Sequence, residues 1–308
     1  MAQSVPLIRV GTRGSPLALA QAAELRAVLA AAQSLDIAAI EVCPIRTTGD
    51  MVGERPLAEL GGKGLFTKEI DQALIDGAID LAVHSAKDIP AIIPGELVIA
   101  AYLAREDPRD AFISRKAANL KALAAGAVVG TAAPRRHALV KRARPDVNVV
   151  TLRGNVETRL RKLDAGAADA TLLALAGLKR LGLAAAATYV FETEEFLPAV
   201  GQGAIAIVAR KQDQRMHERL AAISDEDTTT AVTAERAFLA KLEGSCRTPI
   251  AGHAKILAGE LRFEGLILRP DGSESFQTHR HGAASDAAAL GADAGDELAR
   301  RAPTGFFS

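Results

Sequence analysis

The sequence predicts an α/β protein with two α/β domains and a small C-terminal α+β domain. Up to about residue 222, short apolar runs typical of strands alternate with helix-like runs, a pattern that predicts α/β architecture. Beyond that point a helix is followed by three strand-like runs, separated by the turn signals Ala258-Gly259 and Pro270-Asp271-Gly272. These runs cover residues 249–257, 260–268 and 274–281. A helix over about 285–301 completes a domain of three antiparallel strands.

The first strand and the first helix of the chain meet at a turn that suits an anion. Residues 7–11 are predicted to form a strand, and a strong helix pattern covers residues 17–29. Ser15 is a good N-cap and Pro16 fits the first helical position. The unpaired N–H groups of a helix start attract anions, and Arg13 stands beside them. Arg13 is therefore a candidate anion ligand, although an exposed turn residue would show the same pattern.

A long polar loop is predicted later in the first domain. It extends from Thr47 to Gly64, between a strand over 37–46 and a helix over about 65–76. A long glycine-rich loop inside a domain is usually functional or mobile, so this one is a candidate lid. Lys63 is not a P-loop lysine, because the spacing of glycines and Ser/Thr that a P-loop requires is absent.

Two charged residues follow the predicted strand at residues 80–84. Lys87 and Asp88 come just past its C-terminal end, where open α/β sheets bind ligands. A surface ion pair in a turn is the alternative. His84, inside the apolar run, is predicted to be a satisfied core histidine rather than a catalyst.

The second segment repeats the strand–turn–helix arrangement of the first. A polar crossover near residues 104–108 suggests the boundary between them, and Asn155 is the predicted cap of a helix over 156–165. Arginines stand at or just beyond strand-to-helix junctions in both segments: Arg13, Arg135, Arg136 and Arg153. If the two sheets face each other, these arginines would point into one cleft. The alternative is that these four arginines are solvated charges on the protein surface.

A glycine-rich stretch at residues 201–206 imitates a dinucleotide-binding fingerprint. The spacing Gly-x-Gly-x-x-Ala is present in Gly201-Gln202-Gly203-Ala204-Ile205-Ala206. A dinucleotide-binding fingerprint must be followed by a helix, however, and residues 204–210 are strand-like. A nucleotide site and an oxidoreductase are therefore disfavoured, and the stretch is predicted to return the chain to the first domain. The predicted domains are 1–103 with 200–222, then 104–199, then 223–308.

Cys246 follows a helix-like run at residues 230–242 and stands beside Arg247. A lone cysteine is more often a small buried hydrophobe than a reactive group, and only the adjacent arginine would lower its pKa. Its role as a covalent tether is therefore a hypothesis at this point. Cys43, in a predicted strand, is expected to pack. The two cysteines do not have the ligand spacing of a metal site, and a disulfide between them is not expected.

The amino-acid composition disfavours some classes of binding partner. The chain has 308 residues, of which 37 are basic and 37 acidic, so it lacks the basic excess of most nucleic-acid binders. Aromatic residues are only 4%, which disfavours platforms that stack bases. No signal-like pattern begins the sequence and no apolar run approaches the length of a membrane span. We expect a soluble cytoplasmic protein without nucleic-acid or membrane partners.

Taken in order, the motifs resemble those of the porphobilinogen deaminase (hydroxymethylbilane synthase) family over nearly the whole chain. Each motif is short, but the series is highly specific. The matching stretches begin at Gly11 (GTRGSPLAL), Gly61 (GGKGLFTKE), His84 (HSAKDIP), Glu106 (EDPRDAF), Leu152 (LRGNV), Leu178 (LKRLGL), Leu197 (LPAVGQGA) and Gly244 (GSC).

The resemblance implies an activity, a cofactor and a fold. The activity is the condensation of four porphobilinogen molecules, with loss of ammonia each time, into the linear tetrapyrrole hydroxymethylbilane. The cofactor is a dipyrromethane held by a thioether, and Cys246 matches its attachment residue. The implied fold has three domains, the first two like periplasmic binding proteins, in a protein expected to be a monomer.

The resemblance also assigns site residues. Asp88 matches the catalytic aspartate and Lys87 its neighbour in the site. Lys63 and Phe66 match the loop that covers the site, and Gln202 matches a strand near the hinge. The residues that match binders of acetate and propionate groups are Arg13, Ser15, Arg135, Arg136, Arg153, Arg159 and Arg180.

One departure from the family pattern falls at residues 132 and 133. Ala132 and Ala133 stand where the family usually has hydroxyl residues, just before Pro134. A side-chain hydrogen bond to the cofactor and a helix cap are expected to be lost, although backbone N–H groups of the turn could still bind an anion. The competing hypothesis for the whole chain is a two-lobed small-anion-binding protein without catalysis, which would leave Cys246 unexplained.

Overall fold

The computed structural model describes residues 8–51, 64–244 and 248–307. Their contacts divide the chain into two compact units. The first unit takes the described residues up to Arg105 together with Ala204–Thr229. The second takes Glu106–Gly203 together with the described residues from Thr230 onward. The predicted three-domain boundaries stay a prediction.

The first unit is a five-stranded sheet flanked by helices. Its strands are β1 (Ile8–Arg13), β2 (Ile40–Ile45), β3 (Leu81–Ser85), β4 (Leu97–Tyr102) and β10 (Ile205–Arg210). Their order is β2-β1-β3-β10-β4, with β1 parallel to β2 and β3, and β10 antiparallel to both β3 and β4. The helices are α1 (Pro16–Ala32), α2 (Thr48–Met51), α3 (Lys68–Ile75) and α7 (Gln214–Ala221).

The helix α1 begins as its sequence predicts and covers the core of this sheet. Pro16 is its first residue, and the Ser15 side chain accepts a hydrogen bond from the Ala18 N–H at 3.4 Å. Leu25 and Leu29 of α1 are fully buried in one cluster with Ile8 of β1. Each such side chain contributes about 1.5–3 kcal/mol through burial, which holds the C-terminal half of α1 against the sheet.

The second unit contains a sheet with the same pattern of strand directions. Its strands are β5 (Asp110–Ser114), β6 (Val128–Gly130), β7 (Asn148–Val150), β8 (Ala170–Ala174) and β9 (Tyr189–Val190). Their order is β7-β6-β8-β5-β9, with β6 parallel to β7 and β8, and β5 antiparallel to β8 and β9. The helices are α4 (Pro134–Ala143), α5 (Val156–Asp164) and α6 (Leu175–Arg180).

A three-stranded antiparallel sheet completes the second unit. Its strands are β11 (Ile250–Leu257), β12 (Glu260–Leu268) and β13 (Ser275–Ala283), in that order. The remaining helices are α8 (Glu226–Lys241) and α9 (Ala287–Arg301). Phe238 of α8, Phe263 of β12 and Leu298 of α9 are buried in one cluster, so both helices pack on this sheet.

These elements confirm the predicted fold class. The return of the chain to the first sheet is confirmed by β10, which lies between β3 and β4. The prediction of a loop from Thr47 is wrong at its start, because Thr48–Met51 form a short helix. Residues 52–63 of the predicted loop lie outside the described part of the chain. Among the described helices, none has the length and apolar character needed to cross a membrane.

Candidate active site

A small cavity in the first unit collects several of the predicted site residues. It lies where β1 and β3 end and α1 begins, and its volume is about 50 Å³. Four of the residues singled out by sequence contribute to its wall: Arg13, Ser15, Phe66 and Asp88. The structure therefore brings a cation, a hydroxyl and a carboxylate to one cavity at the ends of parallel strands.

Arg13 binds a carboxylate in this structure, and that carboxylate belongs to the protein. Its Nε donates to Asp50 Oδ1 at 3.1 Å, its Nη2 donates to the same carboxylate, and its guanidinium lies 4.2 Å from the centre of the Phe66 ring. Burial opposes ionisation of Asp50, but hydrogen bonds from Arg13 and Thr47 outweigh it, so the pKa of Asp50 is lowered. The Arg13 guanidinium thus already engages a carboxylate through two of its N–H groups.

Asp88 lies where the sequence places it, just past the C-terminal end of β3. Residues Ala86–Asp88 form a single 3₁₀ turn after that strand, and both Lys87 and Asp88 are half-buried. Asp88 lines the cavity. This position suits a group that interacts with a ligand rather than with the core.

His84 is buried but not satisfied, which corrects part of the sequence-based prediction. It lines the same cavity, and its Nε2 has no hydrogen-bond partner. Burial, and secondarily the charge of Arg13, lower the pKa of His84 to about 4. The imidazole is therefore neutral at pH 7 and keeps an unused hydrogen-bonding atom.

Two further polar residues of the cavity were missed by the sequence analysis. Gln21 of α1 and Ser85 of β3 both line it, and Gln21 Nε2 donates to Ser85 Oγ at 2.9 Å. Ser85 lies within the His84-to-Pro90 motif, so the motif itself was an available signal. Gln21 lies inside a helix pattern and gave no separate signal.

Arg135 and Arg136, in the first turn of α4, are both buried in the second unit. Arg135 Nη2 donates to Asp110 Oδ2 at 2.8 Å and Arg136 Nε donates to Asp110 Oδ1 at 2.8 Å. Asp110 is itself fully buried. Burial disfavours its charge, but the two arginines outweigh burial and lower the pKa of Asp110. These two arginines thus bind a carboxylate that the protein supplies.

The other predicted residues of the second unit occupy different elements. Arg153 follows β7 and has a buried Nη1 without a hydrogen-bond partner, and Arg159 lies on α5. Arg180 ends α6 and donates from Nη1 to the Gly203 carbonyl at 3.1 Å. Gln202 is fully buried and donates from Nε2 to the Pro108 carbonyl at 2.7 Å.

The start of α4 lacks a cap, as the two alanines predict. Ala133 is its N-cap residue and makes no side-chain capping hydrogen bond. Instead, the Ala133 N–H donates to Thr131 Oγ1 at 3.2 Å. Cys246 and Lys63 lie outside the described residues. Among the residues that are described, no cluster of His, Cys, Asp and Glu could hold a metal ion.

Comparison with known proteins places this chain in a family. Residues 8–218 match the family model of the porphobilinogen deaminase dipyrromethane cofactor binding domain, and residues 229–300 match that of the porphobilinogen deaminase C-terminal domain. The chain is 58% identical over 302 residues to the porphobilinogen deaminase of Nitrobacter hamburgensis, covering 98% of this chain and 96% of that protein. It is 55% identical over 300 residues to that of Paracoccus denitrificans, covering 97% and 96%.

Solved structures with a similar α/β arrangement include a nutrient-binding protein from Burkholderia cenocepacia bound to methionine. The two chains are 17% identical with a TM-score of 0.44, over 70% of this chain and 90% of that one. The family models together with relatives matched along nearly their whole length decide the assignment. The chain belongs to the porphobilinogen deaminase family and, as a member of it, is a transferase of tetrapyrrole biosynthesis.

Proposed function

We propose that this protein condenses four porphobilinogen molecules head to tail, with release of ammonia, to give hydroxymethylbilane. The observation that carries the proposal is the pairing of Arg13 and Asp88 on one cavity at the strand ends. An arginine fork and a separate carboxylate match the two demands of this reaction, which are to bind acidic side chains and to stabilise a cation.

The first demand follows from the charge of the substrate. Porphobilinogen carries two carboxylates, so the growing chain and its primer would reach about a dozen negative charges, and two unit charges 4 Å apart interact by about 4 kcal/mol at an effective dielectric constant of 20. Fixed cations are needed to bring such groups together. Arginine suits this role because it stays charged and binds carboxylates bidentately. Arg13, Arg153, Arg159 and Arg180, with Ser15, are the proposed binders.

Asp88 meets the second demand. Loss of ammonia leaves positive charge on the substrate methylene and ring, and a fixed carboxylate stabilises that charge as it develops. Asp88 is half-buried on the 3₁₀ turn that follows β3. We assign it the catalytic role, with Lys87 as its neighbour in the site.

The residues present fit a dipyrromethane cofactor. Such a group carries carboxylates, and the second unit offers Arg153 with a buried, unpaired Nη1, together with the uncapped N–H groups at the start of α4. The proposed tether is a thioether to Cys246, and Gln202 is a proposed binding residue. When bound, the dipyrromethane would supply the primer to which new pyrrole units are joined. Arg135 and Arg136 stay predicted ligands, although in this structure both are engaged by Asp110.

The setting of the enzyme is part of the same proposal. We place it in the cytoplasm as a monomer whose partner is the small molecule porphobilinogen, without nucleic-acid or membrane partners. The balance of 37 basic and 37 acidic residues supports the absence of a polyanion partner.

The tether is tested by intact-protein mass spectrometry of the purified holoprotein. Wild type is expected to exceed its polypeptide mass by a dipyrromethane and to give the colour of a pyrrole with Ehrlich's reagent. Cys246→Ala should lose both signals, because the thioether has no other sulfur at that position. Cys43→Ala is the matched control and should keep both. A bare polypeptide mass for wild type, with no gain on feeding porphobilinogen, would contradict the proposal.

A further inference from the structure

A buried carboxylate in α8 holds a turn that contains one proposed site residue, Gln202, and contacts another, Arg180. Glu235 is fully buried, and its two oxygens accept hydrogen bonds from separate backbone segments of the second unit. The Gly201 N–H donates to Oε2 at 2.6 Å, and the Ala254 N–H of β11 donates to Oε1 at 2.8 Å. His253 Nδ1 lies 3.4 Å from Oε1. Glu235 thus connects the turn around Gly201 to the three-stranded sheet.

That turn depends on hydrogen bonds for its position. Gly201 and Gly203 both adopt left-handed backbone conformations, with φ of 71° and 94°, and neither has a side chain to pack. The Gln202 N–H closes the turn by donating to the Ala199 carbonyl at 2.9 Å. A buried N–H without an acceptor is costly, so the Glu235 carboxylate strongly favours one placement of the turn.

The Gly201–Gly203 turn also contacts Arg180. The Gly203 carbonyl accepts from Arg180 Nη1 at 3.1 Å and from the Glu106 N–H at 3.3 Å. A shift of the turn would therefore move one acceptor of the Arg180 guanidinium. It would also move Gln202, whose Nε2 donates to the Pro108 carbonyl.

We propose that Glu235 is a positioning residue for the reaction, acting through the Gly201–Gly203 turn to orient Arg180 toward substrate carboxylates. The inference rests on the proposed function, because it takes Arg180 as a substrate-binding residue. Glu235 itself does not touch the substrate in this proposal. Its carboxylate is suited to the role because it offers two acceptor oxygens to two backbone N–H groups.

The test is Glu235→Gln in the holoenzyme. Glutamine keeps the size of glutamate but presents one oxygen and one NH₂ group, so one of the two backbone N–H groups loses its acceptor. We expect the KM for porphobilinogen to rise about 10-fold while kcat changes less than about 3-fold. Hydrogen exchange of the 198–204 peptide, which does not depend on turnover, should become faster.

The matched control is Glu297→Gln in the same unit. Glu297 of α9 accepts from Thr278 Oγ1 at 2.6 Å and from Arg280 and Arg301, away from the turn. This variant should lower Tm but leave KM and exchange at residues 198–204 as in wild type. Equal effects of both variants on KM would overturn the proposal, because they would indicate general loosening of the unit.

A double-mutant cycle with Arg180→Lys tests the route through Arg180. If Glu235 acts through the Arg180 fork, Glu235→Gln should have little further effect on KM in the Arg180→Lys background. Additive effects, or an unchanged KM in Glu235→Gln, would overturn the inference. Failure of the proposed function has a different signature, since wild type itself would then not consume porphobilinogen. If Glu235→Gln does not fold, Glu235→Asp provides the same test with the charge retained.

Discussion

At the scale of single residues, Asp88 is the group to which we assign the catalytic role. It lies on a 3₁₀ turn at the end of β3 and lines the cavity that Arg13 also lines. The charge of Asp88, rather than its size, is what the proposed reaction uses. Substitution of Asp88 by a neutral residue of the same shape removes the charge and keeps the size.

Asp88→Asn should lower kcat for porphobilinogen consumption about 10²- to 10³-fold, as for removal of other groups that stabilise transition-state charge. Because arginines are the proposed substrate binders, we expect KM to change less than about 3-fold. The holoprotein mass should stay that of wild type. Asp76→Asn, at the exposed end of α3, is the control and should match wild type throughout. A kcat near the wild-type value would remove Asp88 from the mechanism.

His84 makes stability depend on pH in a defined direction. Its pKa is about 4 in the folded protein and 6.5 as an unperturbed side chain, so the unfolded chain takes up the proton first as pH falls. The neutral buried ring therefore contributes stability that is present above pH 6.5 and is lost between pH 6.5 and 4. The loss attributable to this residue is about 3 kcal/mol.

His84→Gln should remove this component. We expect the free energy of unfolding of wild type to fall more steeply between pH 6.5 and 4 than that of the variant, measured by urea denaturation at each pH. Carboxylates with lowered pKa values, such as Glu297, destabilise both proteins equally in acid. His279→Gln, on the exposed face of β13, is the control. Parallel pH curves for wild type and His84→Gln would contradict the assignment.

At the scale of elements, one buried carboxylate binds two buried arginines and so joins β5 to α4. Asp110 begins β5, and both Arg135 and Arg136 lie in the first turn of α4. The Arg135 Nη1 also donates to the Leu197 carbonyl and Arg136 Nη1 to the Leu172 carbonyl. Because all three charged groups are buried and hydrogen-bonded, the start of α4 is held by this set rather than by a cap.

Asp110→Asn should destabilise the protein by about 3–5 kcal/mol, because two buried guanidinium groups would lose their counter-charge. Urea denaturation of the purified variant measures the change. Asp164→Asn is the control, since the Asp164–Arg115 pair is more than half exposed and such pairs contribute about 0–1 kcal/mol. A change below about 1 kcal/mol for Asp110→Asn would show that the pair does not hold α4.

At the scale of the whole molecule, the alternation of strands and helices was predictable because most elements carry their own signal. The Ser15 and Asn155 caps and the turns before β12 and β13 place element boundaries from local chemistry alone. The strand order was not predictable, since β10 pairs with strands more than a hundred residues earlier in the chain. The helix α7 was missed because only Met216 and Leu220 mark its buried face.

The positions of two candidate site residues were predictable from sequence, but their partners were not. Sequence placed Arg13 and Asp88 at strand ends, and the structure brings both to one cavity. It could not show that Asp50 occupies the Arg13 fork or that Asp110 binds Arg135 and Arg136. An arginine after a strand has the same local pattern whether it faces a ligand or a distant acidic residue. Only the tertiary fold decides between these.

The position of β10 late in the chain affects how the protein folds while it is being synthesised. β3 and β4 are synthesised about a hundred residues before the strand that separates them, so their facing edges stay unpaired while Glu106–Gly203 is translated. Unpaired strand edges invite wrong pairing with other chains. Translation speed across residues 106–203, or a chaperone that covers those edges, should therefore influence the yield of folded enzyme.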